Sequence, residues 1–405
     1  MLRPPLRFLL AVALAPATFA QPAPALLDAV AHSPALAAAR HRLAAAHARI
    51  DASGRLADPE VEGMASRRSG AMSTGNVDMW ELTVRQPLPK RGERAADRER
   101  AQAAAAMAAA DYAMLAGDIA ADTAMALAER DGALARARLL EAQLGRMTAV
   151  LQSIESRLAA GTTARIADRL AVESRLAALQ LMLEQEQRLA ADADTQARSL
   201  LSLAPDAPLP DYAAPSPAEI DATHSPALQS AAARRTEADA MSKMARAGAR
   251  PMTALGLRLE REQTVMGNDD TVGVAFMSEI PWRSRRYARA DLRAAEADRA
   301  AAHADADAAR LRVAAALARV ARAERLAASA RRLGDETRTR LGAEYDALIR
   351  NAGTTATAST DSSVFMAVDL LEKITDTELQ ILAAETAARV ARAELWRHAP
   401  AHHFQ

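Results

Sequence analysis

His32-Ser33-Pro34-Ala35-Leu36 returns 192 residues later as His224-Ser225-Pro226-Ala227-Leu228. The same offset carries Pro59 onto Pro251 and Leu88-Pro89 onto Ile280-Pro281. It also carries Gly161-Thr162-Thr163-Ala164 onto Gly353-Thr354-Thr355-Ala356. Alanine-rich chains match one another by accident, but these landmarks are Pro, Gly, His and Thr, and they hold one register without a gap. The chain therefore reads as a tandem duplication. Two copies are too few for an open solenoid, so the halves are expected to pack side by side with pseudo-symmetry.

Between these landmarks, proline placement divides each copy. None occurs from Lys90 to Ala204 or from Trp282 to Ala399, and proline is what most disrupts a helix interior. Glu93 to Ala159 is predicted as one helix of 67 residues, about 100 Å long at 1.5 Å per residue. Its counterpart is Arg285 to about Arg350. The Gly-Thr-Thr stretches read as turns, followed by returning helices over Arg165–Leu203 and Val364–Arg397. Each copy is thus a long helical hairpin, preceded by a shorter helix, Pro34–Leu56 or Pro226–Gly248.

About 30 residues of different character separate the short helix from the long one. Pro59–Arg68 and Val77–Gln86 flank a loop at Ser69–Asn76; Pro251–Glu262 and Thr271–Ile280 flank one at Gln263–Asp270. Trp80, Leu82 and Val84 share one parity, against Met79, Glu81, Thr83 and Arg85. Val272, Val274 and Phe276 stand at the matching positions, and Leu255, Leu257 and Leu259 alternate with smaller or charged residues. Strands of about ten residues, apolar outward and polar inward, fit a transmembrane barrel wall. A soluble hairpin with one buried face has the same alternation. Arg67 and Asp78 fall on the apolar parity, close to the loop.

The composition agrees with thin walls. Half of the 405 residues are hydrophobic by type, only 3% are aromatic, and the apolar share is mostly alanine. Aromatics supply much of a large core's buried area, so long helices in close contact are expected instead. Fifty-one Lys and Arg balance 51 Asp and Glu, which argues against the basic surface a nucleic-acid partner needs. With no cysteine, disulfides, thiolate zinc sites, a Cys nucleophile and a cysteine-linked lipid anchor are excluded. Arg3 and Arg7, the apolar run Phe8–Ala15 and the small residues to Ala20 read as a secretory signal. That run is short of the ~20 residues of a spanning helix, so any membrane crossing falls to the strands.

The expected organisation is a signal at 1–20, a first repeat at 21–202, a Pro-rich linker at 203–223, a second repeat at 224–397 and a tail at 398–405. Four strands cannot close a barrel, and lipid does not tolerate an open edge; three copies would supply twelve strands, an allowed even number. The fold class expected is mainly α with a small β part and a tandem internal repeat: a trimeric 12-stranded transmembrane β-barrel, four strands per chain, continuous with a long α-helical stem. Helices of about 100 Å far exceed the roughly 30 Å of hydrocarbon and must project into water.

Ala31-His32-Ser33-Pro34-Ala35-Leu36-Ala37-Ala38-Ala39-Arg40, Leu56-Ala57-Asp58-Pro59-Glu60 and Arg85-Gln86-Pro87-Leu88-Pro89-Lys90-Arg91-Gly92-Glu93-Arg94 resemble segments of the TolC-like outer-membrane efflux proteins. That family repeats helix, β-hairpin, long helix, glycine turn and helix twice. The Pro87–Arg94 stretch is most similar to the branch exporting divalent or soft metal ions, as in cobalt–zinc–cadmium efflux. The resemblance implies a passive trimeric channel, not an enzyme, with no cofactor, working with a periplasmic adaptor and a proton-driven inner-membrane pump.

It also implies carboxylate rings where the hairpin tips coil inward. By position the candidates are Asp361, Asp369 and Asp376, with Asp168 in the first copy, and Asp361 is expected to line the closed aperture. Three like charges around one axis favour cations. The bland alternative is solvated helix surface. The tips Gly161, Thr162, Thr163, Gly353, Thr354 and Thr355 are the expected adaptor contacts, or else merely tight turns. Trp80, Leu82, Val84, Leu255, Leu257, Val272, Val274 and Phe276 are the lipid-facing candidates.

Other chemistry is sparse. His398, His402 and His403 could bind a metal weakly but read as a loose tail. The fifteen methionines, Met241 and Met244 among them, could hold soft ions but read as packing. No metalloprotease pair, phosphate-binding loop or nucleophile elbow is present. Two other readings stay open: a periplasmic adaptor, which would carry one hairpin flanked by β-domains, and a soluble coiled-coil scaffold, which would need neither strands nor a 192-residue register.

Overall fold

A computed structural model describes residues 24–69, 76–160, 165–264, 267–279, 281–354 and 360–404. The elements are α1 (Pro24–Ala31), α2 (Pro34–Ala52), β1 (Glu60–Ser69), β2 (Asn76–Leu88), α3 (Glu93–Ala159), α4 (Ile166–Leu201), α5 (Pro226–Gly248), β3 (Met252–Thr264), β4 (Gly267–Glu279), α6 (Ser284–Thr354) and α7 (Thr360–Ala393). Short 3₁₀ turns lie in the linker at Pro217–Glu219 and Ala222–His224, and after α7 at Glu394–His398 and Ala401–Phe404. Elements of the two halves begin or end at the 192-residue offset: α2 with α5 at Pro34 and Pro226, β1 with β3 at Glu60 and Met252, α4 with α7 at Leu201 and Ala393.

The long helices start and stop where backbone groups are satisfied. Gly92 adopts φ +89° ahead of α3, and the Glu93 carboxylate accepts the Lys90 amide at 2.9 Å. α2 stops at Ala52, short of the expected Leu56, because Gly54 turns left-handed at φ +62°. The Gly54 amide donates to Asp97 at 2.8 Å and its carbonyl accepts from Arg94 at 2.7 Å, which fixes the end of α2 against the start of α3.

α3 packs against α4, and α6 against α7, as antiparallel coiled coils. Glu324–Arg392, Arg331–Glu385 and Arg338–Glu378 bridge α6 and α7. Both partners advance by seven residues per bridge, one in each direction, which is the heptad of a left-handed supercoil. In the earlier part of α6, which runs along α5, Ala288, Ala295, Ala302, Ala309 and Ala316 are buried, again every seventh residue. Arg136–Glu186 at 2.9 Å and Arg130–Asp194 at 3.6 Å tie α3 to α4. Exposed bridges stabilise by about 0–1 kcal/mol each, so they set register more than stability. Close alanine packing holds the helices together, and α3 and α7 also touch, which joins the halves.

One thicker core interrupts this thin wall. Trp396 gathers Leu26, Val30, Leu36, Ile220 and Leu395 around the middle of α3 and α6. Its indole donates to the Ala213 carbonyl in the linker at 3.1 Å. The expected loose tail is a correction: Ala401–Phe404 folds back, with His403 and Phe404 edge-on to Trp396 at 6.0 and 6.1 Å between ring centroids. A buried indole offers those rings an apolar surface, and they cover it. Among the described residues no helix is long and apolar enough to cross a membrane.

Candidate functional site

The four strands form one antiparallel sheet in the order β1-β2-β3-β4. Pairing of β2 with β3 therefore joins the two halves, while β1 and β4 stand at the edges. Register aligns the apolar parity across all four strands. Val61 faces Val84, which faces Leu257, which faces Val274; Gly63, Leu82, Leu259 and Val272 form the next row. Trp80, Leu82, Val84, Leu255, Leu257, Val272, Val274 and Phe276 are all exposed in the single chain, Val274 at 78%. A large exposed apolar face of this kind marks a surface that something else covers.

The opposite face is polar and internally paired. Arg258 bridges Glu81 at 2.9 Å and Glu260 at 3.1 Å. Thr83, buried at 4%, donates to Glu81 at 3.1 Å, and Arg85 pairs with Glu62. On the apolar face, each charged pair closes on itself. Arg67 lies opposite Asp78 and binds both its oxygens, at 2.7 and 2.9 Å. Arg261 does the same with Asp270 at 2.6 and 2.8 Å. Bidentate pairing is the strongest arrangement for such groups, and it caps the apolar rows at their loop end. In the second hairpin, pairing continues to Thr264 and Gly267, into the loop expected at Gln263–Asp270.

At the far end of the helices the carboxylate candidates separate. Asp168 is a correction to the expected gate set. It is 5% exposed, and its carboxylate accepts the Arg165 amide at 3.1 Å at the start of α4. Helix N-termini leave amides without intrahelical partners, and a carboxylate three residues in satisfies one. Asp369 and Asp376 are exposed and seven residues apart on one stripe of α7. Between them Lys373 binds Asp369 at 2.7 Å, and that contact raises the Lys373 pKa. Asp376 lines a 90 Å³ cavity among α3, α4 and α7 with Gln143, Met147 and Arg175. Arg175 bridges Glu372 at 2.8 Å from α4 to α7, a tie with no local signal, because it depends on how two helices are phased.

Asp361 falls within α7, but its side chain lies outside the described residues, as do Gly161, Thr162, Thr163 and Thr355 altogether. The turn expected at Gly353-Thr354-Thr355 is displaced: α6 runs on through Thr354, and α7 begins at Thr360. One glycine costs a helix only about 1 kcal/mol relative to alanine, and no proline stands there to stop it. Among the described residues no group of three or more His, Asp or Glu could hold a metal ion. His398 and His403 sit at the edge of the Trp396 core, where burial lowers both their pKa values.

The family model described as outer membrane efflux protein matches residues 25–204. No curated protein matches the sequence. Among solved structures, the outer-membrane channel OprN aligns over 93% of this chain and 89% of its own, with TM-score 0.68 and 22% identity. VceC, an outer membrane protein from Vibrio cholerae, aligns over 93% and 95%, with TM-score 0.68 and 16% identity. CusC, a protein that forms a transmembrane channel, aligns over 93% and 91%, with TM-score 0.67 and 16% identity. The family model thus matches the first half of the chain in sequence, and the solved channels share its fold over nearly the whole length.

Proposed function

We propose that the protein is the outer-membrane exit duct of a tripartite efflux system, a passive homotrimeric channel. One observation carries the reading. A sheet with an exposed apolar face and two edge strands, β1 and β4, runs directly into helices of 67 and 71 residues. One chain cannot finish that wall in lipid, where every strand edge must be paired. Three chains close twelve strands, with Glu81, Arg258 and Glu260 on the water side and the Trp80 and Val274 face in lipid. The helices then span water as a tube about 100 Å long.

At its periplasmic end the exposed Asp369 and Asp376 are the carboxylates left to line an aperture, with Asp361 beside them in sequence. Gly161, Thr162 and Thr163, with Gly353, Thr354 and Thr355, are the tips offered to an adaptor that links the duct to an inner-membrane pump. Residues 1–20 supply the export signal. The likeness of Pro87–Arg94 to the metal-exporting branch makes divalent or soft metal cations the cargo to test first. The test is reconstitution. Protein extracted with detergent from outer membranes should run as a trimer and give discrete conductance steps in planar bilayers. A stable monomer in detergent-free buffer with no conductance would overturn the reading.

A further inference from the structure

The two ends of the sheet treat charge in opposite ways. At the loop end, Arg67 and Arg261 are each closed on an aspartate, Asp78 and Asp270. At the other end the strands meet helices through four short segments, 53–59, 89–94, 249–251 and 281–289. Register puts all four at one level: Glu60 pairs with Arg85, Leu88 with Thr253 and Met252 with Glu279. Hydrogen bonds tie the junctions together, Arg250 donating to the Arg91 carbonyl at 2.8 Å and Lys90 to the Gly248 carbonyl at 3.3 Å. These segments contain nine Lys or Arg against Asp58 and Glu93 alone, in a chain whose formal net charge is zero.

The excess is not neutralised locally. Arg55, Arg91, Arg250, Arg283, Arg286 and Arg289 are exposed, and none has a carboxylate in bridging distance among the described residues. Glu93 is committed to the Lys90 amide. Along the stem, by contrast, exposed arginines such as Arg188, Arg310 and Arg338 are bridged. Like charges gathered this densely repel one another, so the arrangement calls for an anion from outside the chain. Two apolar side chains stand among these cations. Trp282 is 84% exposed, the most of any large hydrophobic among the described residues, and Leu56 is 52% exposed. A bare indole six residues beyond Phe276 of the apolar row suits a membrane–water boundary, where its ring is half in lipid and its N–H in water.

We propose that the strand–helix junctions form a collar that binds the phosphate groups of anionic phospholipids in the leaflet nearest the helices, with Arg91, Arg250, Arg283 and Arg286 as donors and Trp282 at the headgroup boundary. This rests on the channel reading, which puts the sheet in lipid, and adds the class of lipid that it selects. The collar continues the apolar face directly, so one lipid molecule meets Val274 and Phe276 along its chains and guanidinium at its head. Guanidinium forks match phosphate oxygens in pairs. Clusters of roughly four to eight Lys or Arg beside a membrane-spanning element select anionic headgroups. A zwitterionic headgroup brings its own ammonium and leaves the excess charge of the collar uncompensated.

The chain has three tryptophans, and Trp396 is buried at 1%, so in Trp80→Phe protein the lipid-sensitive emission belongs to Trp282. The full-length variant is reconstituted in vesicles of equal parts phosphatidylglycerol and phosphatidylcholine, with bromine on the acyl chains of one lipid or the other. Brominated phosphatidylglycerol should quench about two-fold or more above brominated phosphatidylcholine. The difference should shrink in about 1 M salt, where the screening length falls to about 3 Å. Adding Arg283→Gln with Arg286→Gln should bring the two lipids to equality with helix content unchanged, since both side chains are exposed; Arg310→Gln, on the stem, should not. Equal quenching in the Trp80→Phe protein, or quenching by neither lipid, would overturn the collar while leaving the channel. Failure of the protein to enter vesicles at all would remove the channel reading itself.

Discussion

α3 and α6 occupy matching places in the two halves, yet their surroundings differ. α3 is enclosed on several sides by α2, α4, α5 and α7, and buries residues around much of its circumference, including Gly117, Thr123, Gly132 and Gln143. α6 is buried along one stripe, the alanines from Ala288 to Ala316 with Val313 and Val320, and exposes Leu311, Leu326 and Leu333. A similar contrast holds at the helix starts. Ser225 caps α5 by accepting the Leu228 amide at 3.4 Å; the matching Ser33 hydroxyl is buried with no hydrogen-bond partner among the described residues. Equivalent sequences thus acquire different environments by position in a wall that begins at one half and stops at the other. The difference is what an interior segment and an end segment of a repeating structure look like.

The largest expected effect tests where the halves diverge most. Trp396 stands where the first half has Ala204, and it is 1% exposed. Trp396→Ala should cost about 3–5 kcal/mol, read as a fall in the midpoint of chemical denaturation; a loss under 1 kcal/mol would mean that the two halves are cored alike. Next is Gly117, where an added methyl would meet the Trp396 carbonyl, a backbone atom that cannot move aside. Gly117→Ala should destabilise by about 1–3 kcal/mol. Gly145, on the same helix with nothing within 4 Å, is the control: Gly145→Ala should gain about 0.5–1 kcal/mol through helix propensity. Equal effects at the two glycines would show that α3 is not enclosed as described.

The smallest effect is a pH slope. His398, which replaces Asp206 of the first half, has its pKa lowered chiefly by burial. The unfolded chain therefore binds more protons than the folded one between the two values. Stability is whole above the unfolded value of about 6.5 and falls as pH drops through the lowered folded value. His398→Gln should flatten that part of a stability-against-pH curve; an unchanged slope would assign it to other groups.

Much of this architecture is legible in the residues, for a physical reason. Glu93–Ala159 has no proline and abundant alanine, so one long helix is the local outcome whatever packs on it, and both ends match the structure. Strand faces follow from the parity of Trp80, Leu82 and Val84. What could not be read depends on contacts between distant residues. Nothing near Arg175 points to Glu372. The turn signal Gly353-Thr354 lost to a helix already more than 60 residues long, in which one more turn costs little. Asp168 shows the opposite error. Arg165-x-x-Asp168 at a helix start is a capping pattern, obscured because arginine rather than serine sits at the cap.

Trp396 has a consequence for how the molecule is made. Its indole draws together α1, near the beginning of the described chain, the linker carbonyl of Ala213, and the final turn at Phe404. That core cannot set until the last ten or so residues have been delivered. A polypeptide made from its amino end therefore leaves this core open, with α1 and the linker waiting, until residues 396–404 have emerged.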